Sequence, residues 1–316
     1  MSDGWLHVIR PGLLTTIQDV GRWGYQASGV PVAGPMDDFS HRLANLLVGN
    51  ARDAATLEVT LIGPELEFGV SSVVAVSGAD FDVSCNGQPI PMNTSTAIPR
   101  GGRLTFGRRA AGARAYLAVR GGVQTIPLLG SRATHLVSAM GGVKGRALVS
   151  GDRLPIAEST GAGSPRRAIG LALPNAGRAR LRIVPGPQVE WFQQQASATL
   201  VGVSFRVSPR SNRMGYRLEG PPLLRQRHEE PISEPLAFGA IQVPAAGEPI
   251  LLMADRQTAG GYPKIAGVIA ADLPLAGQLA PGDFIEFSWC SRQEATAALI
   301  ARERPLLRMA DHETPA

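Results

Sequence analysis

The chain has 316 residues, 44% of them hydrophobic, and a net charge of +5 from 31 basic and 26 acidic side chains. That apolar content excludes a disordered chain, and the lack of any run of five basic residues or of interleaved aromatics excludes a nucleic-acid stripe. At this length two domains are expected, and 37 glycines with 25 prolines favour many short strands over a helical bundle.

The first predicted strand is LHVI (6–9). A long Gly- and Pro-rich loop, QDVGRWGYQASGVPVAGPMDD (18–38), follows before the predicted helix DDFSHRLANLLVGN (37–50). That helix has apolar residues at Phe39, Leu43, Leu46 and Leu47, starts at acidic residues and ends at Gly49. ELEFGV, SVVAVS, FDVSC, RLTFG, RAYLAVR and ALVS are the remaining strands of the first half. STGAGSPRR (159–167) combines small, Gly, Pro and basic residues and marks the boundary, giving domains 1–165 and 166–316. The second half carries strands RLRIV, VSFRVS, FGAIQVP, PILLMA, GVIA and DFIEFSW. QVEWFQQQ (188–195) is a short predicted helix, and SRQEATAALIARERPLL (291–307) is a C-terminal helix capped by Ser291.

A faint repeat joins the halves. VIRPG (8–12) is echoed by IVPGP (183–187), GRWGYQ (21–26) by NRMGYR (212–217), and GGRLTF (101–106) by PGDFIEF (281–287). Two related β-rich domains with unequal loop insertions would leave this pattern, whose period is far longer than a solenoid's.

Four stretches gather chemistry-bearing residues. In 18–38, Asp19 and Arg22 either pair to fix the turn or face a ligand, and Asp37 is a helix N-cap or a ligand contact. In SPRSNRMGYRLEG (208–220), Asn212 suits a turn, and Arg213 offers a planar fork to a carboxylate or phosphate or to a structural ion pair. In EEPISEPLAFGAIQVP (229–244), Glu234 stands just before a buried strand, as a general base, as an orienting group or as a solvated turn residue. The fourth is DRQTAGGYPKIAG (255–267). Asp255, Gln257, Thr258, Tyr262 and Lys264 surround a Gly260-Gly261 pair, which allows positive φ and close backbone approach. This is either a polar hairpin rim or a ligand-facing one.

Lys144 and Lys264 are the lysines, which leaves 29 arginines among the 31 basic residues. Spread arginines suit anionic small molecules. No phosphate loop, Rossmann fingerprint or G-x-S-x-G elbow occurs. The five histidines lack metal spacing, and Cys85 and Cys290 form no metal pair or disulfide framework. The N-terminus lacks a signal-peptide pattern and no apolar run reaches membrane-span length, so a soluble cytoplasmic protein is expected.

TTIQDVGRWGYQASGVPVAGPMDDFSHRLANLLVGN, RGGV (120–123), GSRATH (130–135), SNRMGYRLEG, SEPLAFGAIQVP and DRQTAGGYPKIAGVI together resemble one family. It is the biotin-dependent carboxyltransferase-like family called KipA, or allophanate hydrolase subunit 2, over roughly residues 8–290. Its stand-alone bacterial members are similar to the C-type component of 5-oxoprolinase. The resemblance implies a mainly β chain of two tandem cyclophilin-like β-barrel domains with a few short helices. It implies ATP-dependent opening of 5-oxoproline to glutamate, with a KipI-like subunit (the B-type component of 5-oxoprolinase) and a third lactam-opening subunit. ATP would be shared with those partners. The alternatives it carries are a biotin-dependent carboxyltransferase component, with biotin held elsewhere because no A-M-K-M segment occurs, and a regulatory antagonist of a kinase inhibitor. On the lactam reading, Asp255, Lys264 and Glu234 are the expected catalytic residues. Arg213, Asn212, Gln257, Thr258, Tyr262, Arg22 and Asp37 are expected to bind substrate, and no metal is expected.

Overall fold

The structure, a computed structural model, describes residues 4–159, 165–227 and 229–311. The chain divides into two compact units, one of residues 1–22, 33–173 and 306–316, the other of 23–32 and 174–305. Much of the expected boundary stretch, 160–164, lies outside the described residues. The main division falls a few residues later, between Leu173 and Pro174, and the segment Trp23–Val32 belongs with the second unit.

The first unit holds strands β1 (Gly4–Arg10), β2 (Leu14–Gln18), β3 (Thr56–Thr60), β4 (Glu65–Phe68) and β5 (Ser72–Cys85). It continues with β6 (Gln88–Ile90), β7 (Thr96–Ile98), β8 (Arg103–Val119) and β9 (Arg153–Ile156), and with helix α1 (Asp38–Leu47). The nine strands make one sheet with the path β2-β3-β8-β4-β1-β9, on which β5 pairs with β8. Leu6, Val8, Leu57, Val59, Leu66, Phe68, Val76 and Leu117 form its core, at alternate positions that point to one face.

SVVAVS and FDVSC prove to be one strand, as do RLTFG and RAYLAVR. Gly78 and Gly112, both at positive φ, read as strand breakers but sit where β5 and β8 bulge and continue pairing. β2 and β3 escaped detection because they are buried on nearly every side chain and rich in threonine, so no alternation shows. ALVS forms no strand. Its Leu148 instead donates one backbone bond to Thr15 on β2, and Thr134 likewise covers Ile17, so the outer edge of β2 is not bare.

Helix α1 begins where the Asp37 carboxylate accepts the Ser40 N–H, at 2.9 Å, and stops before Gly49 at φ +76°. Its apolar face packs on Val73, Ala75, Tyr116 and Ala118. His41 on the same helix is fully buried. Its Nδ1 meets Thr56 Oγ1 at 2.9 Å and its ring stands edge-on to Tyr116. Burial pushes its pKa from 6.5 down to about 4, against the pull of Asp19, Asp38 and Glu58. The folded chain therefore resists a proton that the unfolded chain accepts. Stability from this group is complete above pH 6.5 and is lost as the pH falls through 4, a loss of about 3 kcal/mol. Thermal melts between pH 7 and pH 4 should show the drop, and His41→Gln should flatten it. Parallel pH curves for the two proteins would refute the assignment.

The second unit is a closed barrel, β10-β17-β14-β15-β12-β11-β18, in which β18 returns parallel to β10. Its strands are β10 (Arg178–Pro185), β11 (Ser204–Val207), β12 (Gly215–Glu219), β14 (Ala240–Gln242), β15 (Ile250–Leu252), β17 (Lys264–Val268) and β18 (Phe284–Trp289). The short strands β13 (Glu234–Pro235) and β16 (Ala259–Gly260) pair outside the barrel. Leu181, Ile183, Phe205, Tyr216, Leu218, Ile241, Leu251, Ile265 and Ile285 fill it. β17 starts three residues before the expected GVIA. QVEWFQQQ opens as a 3-10 turn, and helix α2 (Gln194–Gly202) starts only as that segment ends. Helices α3 (Leu273–Gly277) and α4 (Arg292–Asp311) complete the unit's part of the chain, α4 running past Pro305 into the first unit. The mainly β expectation holds. No described helix is long and apolar enough to cross a membrane.

Candidate functional site

Strand alternation builds a cleft on the outer face of the barrel. In β12, Tyr216 and Leu218 point inward, so Gly215 and Arg217 face out. Leu251 of β15 and Ile241 of β14 also point inward, leaving Ile250, Leu252 and Gln242 outside. The register sets Arg217 beside Ile250, Ile250 beside Gln242, and Gln242 beside Lys264. One row thus crosses four strands, about 14 Å from the Arg217 backbone to that of Lys264. The cleft over Arg217, Ile250 and Gln242 of this row has a volume of about 460 Å³. Arg210, Asn212 and Met214 close one side; Gln257, Gly260, Gly261 and Tyr262 close another.

Of the expected substrate-binding residues, the cleft brings together Asn212, Gln257 and Tyr262. Asn212 also holds its own turn, accepting the Met214 N–H at 2.8 Å. Thr258 lies beside Gln257 in an adjoining apolar groove of about 420 Å³ with Trp23, Leu236 and Phe238. The glycine pair does not serve a turn of positive φ. A Cβ on Gly260 would stand 3.0 Å from Leu236 and 3.3 Å from Gln242, and one on Gly261 would stand 3.1 Å from the Pro231 carbonyl. The pair is there for close approach, with Gly260 in register with Glu234.

Lys264 lies at the end of the row. Its side chain is 6% exposed and its ammonium donates to Glu234 Oε1, while the Glu234 side chain is 36% exposed. The Lys264 bond, helped by one from Gln188 and opposed by burial, holds the Glu234 carboxyl below the usual carboxylate range. Glu234 is therefore a fixed anion and a poor general base near neutrality.

Arg213 and Asp255 are placed elsewhere. They are 5% and 2% exposed and form a bidentate pair, Nε to Oδ2 and Nη2 to Oδ1, both at 2.9 Å. Neither lines the cleft. Arg22 and Asp37, in the first unit, also have structural partners. Arg22 donates to the carbonyls of Ala133 and Leu128, and Asp37 caps α1 while its N–H donates to Tyr116 Oη at 2.8 Å. Asp19 holds the same 128–133 segment through Ser131 Oγ and the Arg132 N–H.

Sequence reasoning passed over Arg210, Arg217, Gln242 and Gln188. Arg217 is the last residue of the NRMGYR motif, and its outward position follows from the alternation around Tyr216 and Leu218. Gln188 follows directly on the PGP motif. Among the described residues no cluster of three His, Cys, Asp or Glu side chains is arranged to hold a metal.

Comparison with known proteins agrees with this architecture. The chain is 39% identical to the 5-oxoprolinase C subunit of Escherichia coli over 95% of its length and 96% of that protein. It is 36% identical to the 5-oxoprolinase C subunit of Haemophilus influenzae over 89% of both chains. It superposes on the K. lactis urea amidolyase with a TM-score of 0.90 and 33% identity, covering 96% of this chain and about one fifth (20%) of that one. The model of the carboxyltransferase domain, subdomain A and B, matches residues 28–289, and the chain belongs to that family.

Proposed function

We propose that this chain is the C-type subunit of an ATP-dependent 5-oxoprolinase, which opens 5-oxo-L-proline to L-glutamate. Relatives carrying that name align over nearly all of both chains. Within the structure, the charge of the cleft carries the reading. Arg210 and Arg217 line it, and among the described residues no carboxylate does; Glu234, beyond its Gln242 side, is paired with Lys264. Arg210 has Glu248 at 3.8 Å, whereas Arg217 has no carboxylate partner among the described residues. 5-Oxoproline is a carboxylate anion at neutral pH and urea is neutral, so this cleft favours the lactam acid.

Lactam, ATP and two waters become glutamate, ADP and phosphate. This chain's part is to hold the lactam for attack and to stabilise charge on its oxygen. Arg217 takes the carboxylate, Gln257, Tyr262 and Asn212 line the space beside it, and Lys264 donates to the lactam oxygen. ATP is a co-substrate shared with a KipI-like subunit and a third, lactam-opening subunit. Arg217→Ala should raise the KM for 5-oxoproline about tenfold with little change in kcat, as for loss of one charge-assisted hydrogen bond. Steady-state kinetics that leave KM unchanged would remove Arg217 from the site.

The test of the reading is ADP release by the three subunits together, with and without 5-oxoproline. Release that requires both the lactam and this chain is the expected result. No lactam dependence in a folded, associated complex would overturn it. Likeness to urea amidolyase favours a second reading, biotin-linked carboxyl transfer with biotin carried on another protein. Carboxylation of urea by the complex would support that reading.

A further inference from the structure

The IVPGP motif, which the repeat singles out, has no role in the reading above. In the structure it runs against β17. The Gly186 N–H donates to the Ile265 carbonyl at 2.9 Å. A Cβ on Gly186 would collide with the Lys264 carbonyl oxygen and stand 2.8 Å from the Ala266 nitrogen. Glycine is required there for closeness, since its φ is not positive. Two residues on, buried Gln188 is tied to Lys264 in both directions. Its N–H donates to the Lys264 carbonyl at 3.2 Å, and its Oε1 accepts the Lys264 N–H at 3.0 Å. Its Nε2 then reaches Glu234 Oε1 at 2.6 Å, the same oxygen that takes the Lys264 ammonium.

Two donors on one carboxylate oxygen fix the plane of the carboxylate. Glu234 Oε2 has no partner among the described residues, and Lys264 uses one of its three N–H bonds on Glu234. An acceptor and a donor therefore stand side by side at the Lys264 end of the row, next to Gln242 and beyond the residues that line the cleft. A lactam displays its N–H and C=O on one edge, because the ring holds the amide cis. Urea and primary amides present the same edge, and a trans peptide bond does not.

We propose that Gln188 is a positioning residue that sets Glu234 and Lys264 to read the cis-amide edge of the substrate. Glu234 Oε2 accepts the amide N–H, and Lys264 Nζ donates to the amide oxygen. This rests on the reading of the cleft as the lactam site and adds to it a substrate class, cyclic or primary amides. Arg217 then selects those that carry a carboxylate.

Two variants of the assembled complex test it. Gln188→Glu keeps the acceptor for the Lys264 amide, removes the donor to Glu234 and sets a second carboxylate beside it. Gln188→Met removes both. Each should lower kcat/KM for 5-oxoproline about 30-fold, with a melting temperature close to wild type for at least one of the two. Two readouts go beyond structure. Wild type should use an N-methylated 5-oxoproline, which lacks the N–H, at least 100-fold less well, and the variants should narrow that ratio to about tenfold. The acid limb of the pH profile should also move up, because Glu234 loses a donor that, with Lys264, holds its carboxyl low. Lys264 is the charged group facing Glu234 among the described residues. Wild-type kcat/KM, discrimination and acid limb in both variants would overturn the proposal.

If the wild-type complex releases no lactam-dependent ADP, the functional reading fails separately. Calorimetric titration of the same complex with 5-oxoproline and with urea then tests the amide edge alone. Binding by wild type that Gln188→Glu weakens tenfold sustains the proposal. No binding of either compound, or equal binding by both proteins, overturns it.

Discussion

Lys264→Met is expected to lower lactam-dependent ADP release by a factor of roughly 10² to 10³, with the fold intact, as for loss of a fixed donor to a developing oxyanion. The stem of Lys264 is buried and its head reaches Glu234. Methionine keeps much of the stem volume in β17 and removes only the donor. Glu234 loses its cation, but its half-exposed side chain can be solvated, so the stability change should be small. Lys264→Arg restores the charge without the point-like donor and should recover little activity. The check is kcat for ADP release by the three-subunit complex beside a thermal melt of the same protein. Wild-type turnover in Lys264→Met would remove the lysine from the chemistry. A large fall in melting temperature with proportionate loss of turnover would make it a structural residue.

The parts of this site legible in the sequence are those that a short stretch carries by itself. Asn212, Gln257, Tyr262 and Lys264 stood out because polar groups clustered around glycine turns, and three of them line the cleft. Arg217 did not, because an outward arginine on a strand reads as a solvated surface residue. Only the pairing of β12, β15, β14 and β17 makes it one end of a row that finishes at Lys264. The repeat was informative about backbone more than chemistry. Gly282 turns the chain into β18 at positive φ, whereas before β8 it is Gly101, one residue ahead of the matched Gly102, that takes positive φ. Tyr25 is exposed where its counterpart Tyr216 is buried in the barrel. Glycines misled wherever a bulge and a chain break look alike, as at Gly78 and Gly112. They also misled where close approach and positive φ look alike, as at Gly260 and Gly261.

Asp255→Ala and Arg213→Ala should each cost about 3–5 kcal/mol of stability, since each leaves a charge buried without its bidentate partner. For a unit of this size that is a fall of order 10 °C in melting temperature. The two side chains come from segments 42 residues apart, the turn before β12 and the exit of β15. A backbone bond from Asp255 N–H to the Arg213 carbonyl, at 2.8 Å, joins the same two segments and survives either substitution. The pair can therefore be probed without cutting the sheet. Arg213→Met combined with Asp255→Leu removes both charges and should recover most of the loss, because the cost lies in the stranded charge and not in a missing attraction. A catalytic or substrate-binding task for either residue makes the opposite demand. Single variants would then melt normally and lose turnover, and the double variant would be no better than either. Chemical denaturation of the four proteins, run beside their ADP release, separates the two. A stable, inactive Asp255→Ala would return this pair to the active site.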